Sequence, residues 1–138
     1  MYEQLIIAID PGRDKCGLAA VDLQGNMLEL ELVPRPELAK HLGEMLTRWR
    51  TDGRHIAVIM GNGTYHQQVL KELEQYLTGI EIGLVEEYGT TLAARELYWQ
   101  HNKVTGWQRL LPPSWRSTPP LDAYAALAIA KLHIKNML

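Results

Sequence analysis

Four acidic positions stand out by where they fall. Asp10 closes an otherwise apolar run, Leu5 to Ile9, directly before Pro11-Gly12. Glu86 and Glu87 follow a second apolar-rich run, Ile80 to Val85, and Asp122 opens an alanine-rich stretch after Pro119-Pro120. Each sits at an element boundary, where rigid backbone can hold a side chain that still faces solvent. Carboxylates gathered in one place repel one another unless a cation neutralises them. Their hard oxygens favour Mg²⁺ or Mn²⁺, and such ions activate water and stabilise the leaving oxygen of a phosphodiester. Each acid also has a structural alternative. Asp before Pro-Gly is a turn residue, Asp122 caps a helix well, and Glu87 suits a helix N-terminus by its charge. The chemistry depends on the acids meeting, which only the fold decides.

Other residues fit the same chemistry. Arg13 and Lys15 flank Asp10 closely enough to meet a backbone phosphate, or to pair with Asp14 in a solvated turn. Gly61-Asn62-Gly63-Thr64 offers backbone N–H groups to a phosphate at the start of the following helix, or is a turn with a threonine cap. Asn62 and Thr64 are its candidate substrate contacts. It is not a Walker loop, since no Gly-Lys-[Ser/Thr] follows. Trp99, Trp107 and Trp115, with Lys103, Arg109 and Arg116, form an aromatic-basic stretch between Glu87 and Asp122. Exposed, it would stack bases and hold phosphates; folded back, its tryptophans would pack over the core. Cys16 lies in an apolar run and reads as a buried, inert thiol. The histidines at 41, 55, 66, 101 and 133 show no metal-ligand spacing. His66, just after the glycine-rich turn, reaches either a phosphate or solvent.

The elements that must position these residues are legible as periodicities. Leu5–Ile9 and Cys16–Val21 read as buried strands, and Met27–Val33 alternates apolar and acidic residues as a half-exposed strand does. Short connections make these three an antiparallel meander. Pro36 to Trp49 carries Leu38, Leu42, Met45, Leu46 and Trp49 at helical spacing. His55–Met60 is a strand, Gln67–Leu77 a helix, Ile80–Val85 a strand and Thr90–Trp99 a helix. Residues 101–120, with four of the seven prolines, read as irregular, and Leu121–Ile134 as a final helix. A meander followed by alternating helix and strand gives an α/β protein with a mixed five-stranded sheet and helices packed on it.

Length and composition bound the class. With 138 residues the chain is expected to form one domain. Hydrophobic residues make up 46% and charged residues 22%, the balance of a globular protein with a core. A formal charge of −2 excludes a binder that works through bulk positive charge, though not an enzyme with a local basic face. One cysteine excludes an internal disulfide framework or a zinc finger of paired thiolates. No apolar run approaches the roughly 18 residues of a membrane span, and the start MYEQLIIAID lacks a basic signal-peptide opening. A cytoplasmic protein is expected.

Four segments, in order, carry a resemblance. Ile7-Ala8-Ile9-Asp10-Pro11-Gly12 with Cys16-Gly17-Leu18-Ala19-Ala20-Val21 resembles the D-x-G-x-x-x-x-G-x-A opening of the RuvC and YqgF families. Val58 to Thr64 resembles the GNGT segment of the YqgF-like domain in Tex proteins. Val85 to Arg95 resembles the YqgF stretch D-E-R-x-[ST]-T followed by A-R, in a register that puts the family's glutamate on Glu87. Leu121 to Ala130 resembles the last RuvC helix, of the form D-A-A-D-A-L-A-I-A. The resemblance implies a ribonuclease H-like fold and a divalent-metal nuclease acting on structured nucleic acid. Its metal-binding, catalytic acids are Asp10, Glu87 and Asp122, and its cation is Mg²⁺ or Mn²⁺. YqgF proteins are associated with pre-16S ribosomal RNA maturation and have been described as Holliday-junction resolvases; RuvC-type resolvases act as dimers, so a homodimer is a possible partner state. Departures from the pattern are Tyr88 in place of the motif's arginine, Glu86 for its preceding acid, and Ala125 where RuvC has a fourth acid. The YqgF pattern also lacks that fourth acid. Two other functions compete: a non-catalytic nucleic-acid-binding module, as in Tex, and a kinase-like ATPase half, for which 138 residues leave no second lobe.

Overall fold

The structure, a computed structural model, describes residues 4–50, 55–86 and 121–137. Its elements run β1 (Gln4–Asp10), β2 (Lys15–Asp22), β3 (Met27–Pro34), a 3₁₀ turn (Arg35–Glu37), α1 (Leu38–Trp49), β4 (His55–Gly61), α2 (His66–Tyr76), β5 (Ile82–Val85) and α3 (Leu121–Met137). The strands form one sheet in the order β3-β2-β1-β4-β5. β1 pairs antiparallel with β2, and β2 with β3, while β1, β4 and β5 run parallel. The expected mixed five-stranded sheet is therefore present.

Why β1 is central follows from its composition. Leu5 to Ile9 are all at most 2% exposed, so both faces of the strand are covered. A strand buried on both faces reads as a continuous apolar run rather than an alternating one. β3, at the sheet edge, shows the alternation instead. Glu29 accepts hydrogen bonds from Arg48 and from Trp49 Nε1 of α1, while Leu30 packs toward α3. The β2–β3 turn is built by Asp22, whose carboxylate accepts the backbone N–H groups of Gln24 and Asn26 at 3.0 and 2.9 Å. Gly25 closes it at φ 88°, a conformation that a Cβ disfavours.

Helices cover both faces. Ile7, Ile9, Cys16, Leu18 and Ala20 form one core with Leu38, Leu42 and Met45 of α1 and Val69 and Leu73 of α2. Ile6, Ala8, Ala19 and Val21 form the other with Tyr124, Leu127 and Ile129 of α3. α1 places Leu38, Leu42, Met45 and Leu46 on one stripe, as its spacing predicts. Each fully buried Leu or Ile contributes about 1.5–3 kcal/mol by leaving water.

Several boundaries differ from the expected ones. The segment expected to be helical from Pro36 opens with one 3₁₀ turn, and the α-helix proper begins at Leu38. α2 spans His66–Tyr76 rather than Gln67–Leu77. β5 begins at Ile82, because the Ile80 N–H is used on the Leu77 carbonyl in a turn through Gly79. α3 continues to Met137. The helix expected at Thr90–Trp99 and the irregular segment 101–120 lie outside the described residues. Among the described residues, no helix is long and apolar enough to cross a membrane.

Candidate metal and nucleic-acid site

The parallel part of the sheet brings three strand ends to one edge. Ile9 is level with Met60, and Gly61 with Val85, so β1, β4 and β5 all terminate there. Asp10 is the last residue of β1. Glu86 follows β5 directly and is exposed. The two ends flank Gly61 of β4 and the Asn62 that follows it, and the Asn62 backbone N–H donates to the Val85 carbonyl at 2.9 Å. The sheet topology therefore delivers Asp10 and Glu86 to one edge. Glu87 itself lies outside the described residues.

Two-residue alternation along β1 puts Ile6 and Ala8 in the core under α3, and Asp10 continues that series. Its cross-strand partner is Gly17. Directly opposed Cβ atoms lie about 4.5–5.5 Å apart, so a glycine there places no side chain beside the carboxylate. α3 begins at Leu121, which sets Asp122 in its first turn, on the helix that covers this face of β1 and β2. A carboxylate is favoured there by the helix dipole. The Asp122 side chain lies outside what the structure describes.

Asp10 opens onto a depression of about 510 Å³. One wall is the β1–β2 loop, with Gly12, Arg13, Asp14 and Lys15. The other is Gly63, Thr64 and Tyr65, which lead into α2. Gly12 is needed by close approach, since a Cβ on it would overlap the Lys15 carbonyl oxygen. Arg13 and Lys15 are exposed, and neither forms an ion pair among the described residues. The pairing of Arg13 with Asp14 allowed by the sequence is not made. Thr64 does not cap α2: the N-cap is Tyr65, with no side-chain cap. The turn is held instead by the Gly63 carbonyl, which accepts from the His66 backbone N–H at 3.1 Å and its Nδ1–H at 2.7 Å. That bond assigns the proton to Nδ1 in the neutral ring. Two larger hollows, of about 810 and 590 Å³, lie against α1 and α2 and hold no strand-end carboxylate.

Cys16 is fully buried, as its apolar setting predicts. Its Sγ lies 3.9 Å from the Gly12 carbonyl. Burial, with the nearby Asp10 charge adding to it, pushes the thiol above its ordinary pKa, which leaves it a poor nucleophile. No motif or spacing pointed to Arg35. Its guanidinium forks onto Glu72 of α2, with Nε at 3.1 Å from both carboxylate oxygens and Nη2 at 2.7 Å from Oε1. Only tertiary contact between the β3–α1 junction and α2 reveals it.

Does this donor set suit a divalent cation? Asp10 supplies one hard oxygen donor at a fixed strand end. Among the described residues no three His, Cys, Asp or Glu side chains form a metal-sized cluster; of the other two expected ligands, Glu87 and the side chain of Asp122 are not described. Arg109 and Arg116 lie outside the described residues as well.

No protein-family model matches the chain, and no curated protein matches it. Among solved structures, the large terminase nuclease from thermophilic phage G20c aligns over 94% of this chain and 82% of its own, at a TM-score of 0.59 and 16% identity. A ROK family transcriptional regulator, a homolog of E. coli MLC protein, aligns over 69% of this chain and 31% of its own, at a TM-score of 0.45 and 11% identity. The second superposition is too loose to carry an argument. The first establishes the architecture: this is an α/β domain with the ribonuclease H-like fold.

Proposed function

We propose that this protein is a divalent-metal-dependent nuclease of the YqgF/RuvC-like kind, hydrolysing phosphodiester bonds of structured nucleic acid, with RNA such as a pre-16S ribosomal precursor as its preferred substrate. The observation that carries the reading is Asp10. It stands at the end of the central strand of a ribonuclease H-like sheet, faces a glycine across the ladder, and opens onto a depression bordered by Arg13 and Lys15. The phage terminase nuclease with the same architecture supports a nuclease, and the four ordered motif resemblances support the YqgF/RuvC-like kind.

In this reading Asp10, Glu87 and Asp122 hold Mg²⁺ or Mn²⁺. When bound, the cation supplies charge for the phosphoryl oxygens and acidifies water. The chain's own residues do the rest. Arg13 and Lys15 are solvated cations at the rim and draw in the phosphate backbone by charge. Thr64 lies on the opposite wall, where its hydroxyl would orient phosphate or ribose, and Asn62, two residues before it, is proposed to add an amide contact. Gly12 and Gly17 keep the space about the carboxylate clear of side chains. Arg109 and Arg116, in the aromatic-basic stretch, are proposed to extend the phosphate track.

The test is cleavage of structured RNA and of four-way DNA junctions in Mg²⁺ or Mn²⁺, by wild type and Asp10→Asn. The expected result is RNA cleavage by wild type that needs the metal and is lost in the variant. Preferential cutting of junctions would make the protein a resolvase-like DNA nuclease. Salt-sensitive binding without cleavage, surviving Asp10→Asn, would make it a binding module and refute catalysis.

A further inference from the structure

We propose that Arg35 is a positioning residue for the Asp10 site, clamping the β1–β2 loop to α2 and thereby setting the width of the depression. This rests on the reading of Asp10 as the catalytic carboxylate. Among the described residues, the loop between Asp10 and Lys15 has few tethers. Arg13, Asp14 and Lys15 are exposed, and the thiol contact of Cys16 with the Gly12 carbonyl is long and weak. Among the described residues, two backbone carbonyls of the loop are held by Arg35. Its main-chain N–H donates to Asp14 at 2.8 Å, and its Nη1 donates to Arg13 at 3.3 Å.

The same guanidinium grips Glu72 through Nε and Nη2. Glu72 belongs to α2, whose first turn follows directly from Gly63, Thr64 and Tyr65. Those three residues are the opposite wall of the depression. One side chain therefore ties both walls together. A planar fork can bind a carboxylate on one edge and a carbonyl on another, which a lysine ammonium on a single flexible stem cannot do with the same geometry. The Arg35 side chain is 18% exposed and that of Glu72 45%, so the pair is only partly screened by water, unlike a pair at the open surface.

Cys16 reports on the clamp. It is the chain's single cysteine, it is fully buried, and it lies under the Gly12 carbonyl of this loop. The experiment is labelling of Cys16 by an aromatic disulfide reagent under native conditions. The proteins are wild type, Arg35→Gln, Glu72→Gln, the double variant, and Arg48→Gln, whose ion pair with Glu29 touches neither the loop nor α2. Metal-dependent RNA hydrolysis and urea unfolding are measured on the same preparations. A charge-assisted hydrogen bond lost from the clamp corresponds to labelling about tenfold faster in each single variant, with no further gain in the double variant. Arg48→Gln labels at the wild-type rate. Hydrolysis falls in the clamp variants and not in Arg48→Gln.

Labelling that rises only as global unfolding predicts, or equally in Arg48→Gln, overturns the clamp. So does faster labelling with hydrolysis unchanged. Faster labelling in the clamp variants of a protein whose wild type cleaves nothing leaves the loop tether standing and sinks the nuclease reading alone. Should Arg35→Gln fail to fold, Arg35→Lys carries the same comparison, since it keeps the charge and loses the fork.

Discussion

Replacing Gly12 by alanine puts a methyl group where the Lys15 carbonyl oxygen already lies. Lys15 is the first residue of β2, paired with Pro34 in the ladder, so this oxygen is not the movable tip of a side chain. Either the loop opens or the start of β2 shifts. Overpacking of this kind costs about 1–3 kcal/mol. Against it stands the lower entropy of the unfolded chain when glycine becomes alanine, about 0.4–1 kcal/mol. The clash wins, and the net loss is about 1–2 kcal/mol. For a chain of this length that lowers Tm by roughly 3–8 °C. Gly43→Ala is the opposite control. Gly43 lies inside α1, and its added methyl would meet only Leu77 Cδ2 at an ordinary 3.6 Å. Helix propensity then stabilises the variant by about 0.5–1 kcal/mol. Urea unfolding of both variants decides the matter. A Gly12→Ala protein as stable as wild type, or a Gly43→Ala protein no more stable, would refute the packing argument.

Three further outcomes are expected. Asp22→Ala should cost about 1 kcal/mol by removing the hydrogen bonds that shape the β2–β3 turn, as read from urea unfolding at pH 7. Partial burial acts to raise the Asp22 carboxyl, but hydrogen bonds from Asn26, Gln24 and Gly25 outweigh it and hold the group below its ordinary 3.8. The stability it contributes is therefore present above pH 3.8 and lost as pH falls through the lowered value, so the difference between wild type and Asp22→Ala should shrink in acid. Cys16 has the reverse sign: its raised thiol contributes stability that is full below pH 9.0 and lost as pH rises toward the raised value. Cys16→Ala should flatten the alkaline limb of the stability profile; an unchanged limb would contradict the burial argument. Arg13→Gln and Lys15→Gln should each weaken nucleic-acid binding and reduce its salt dependence by about one unit of slope, with no change in Tm; a slope that stays put would remove them from the phosphate track.

The fold was readable wherever burial stamps a period on the chain. Leu5 to Ile9 announced a strand covered on both sides, and Leu38, Leu42, Met45 and Leu46 announced one helical stripe. The strand ends were readable too, because an acid or a Gly-Asn pair interrupts an apolar run where the sheet stops. That β1, β4 and β5 end at one edge is a matter of pairing, and no local signal encodes it. A threonine cap at Thr64 was one of two readings the sequence left open, yet the His66 ring and backbone satisfy the turn through Gly63 and the N-cap is Tyr65. Arg35 was invisible for a different reason. Its partners are 37 residues away on α2 and 22 residues away in the loop, and a lone arginine after a proline carries no motif.

The proposed nuclease chemistry requires Asp10 to share one cation with Glu87 and Asp122. A crystal soaked in Mn²⁺, with diffraction collected at the manganese edge, tests it most directly. The expected result is an anomalous peak in contact with carboxylate oxygens of all three residues, absent from Asp10→Asn crystals soaked alike. A peak elsewhere, or one that persists in the variant, would contradict it.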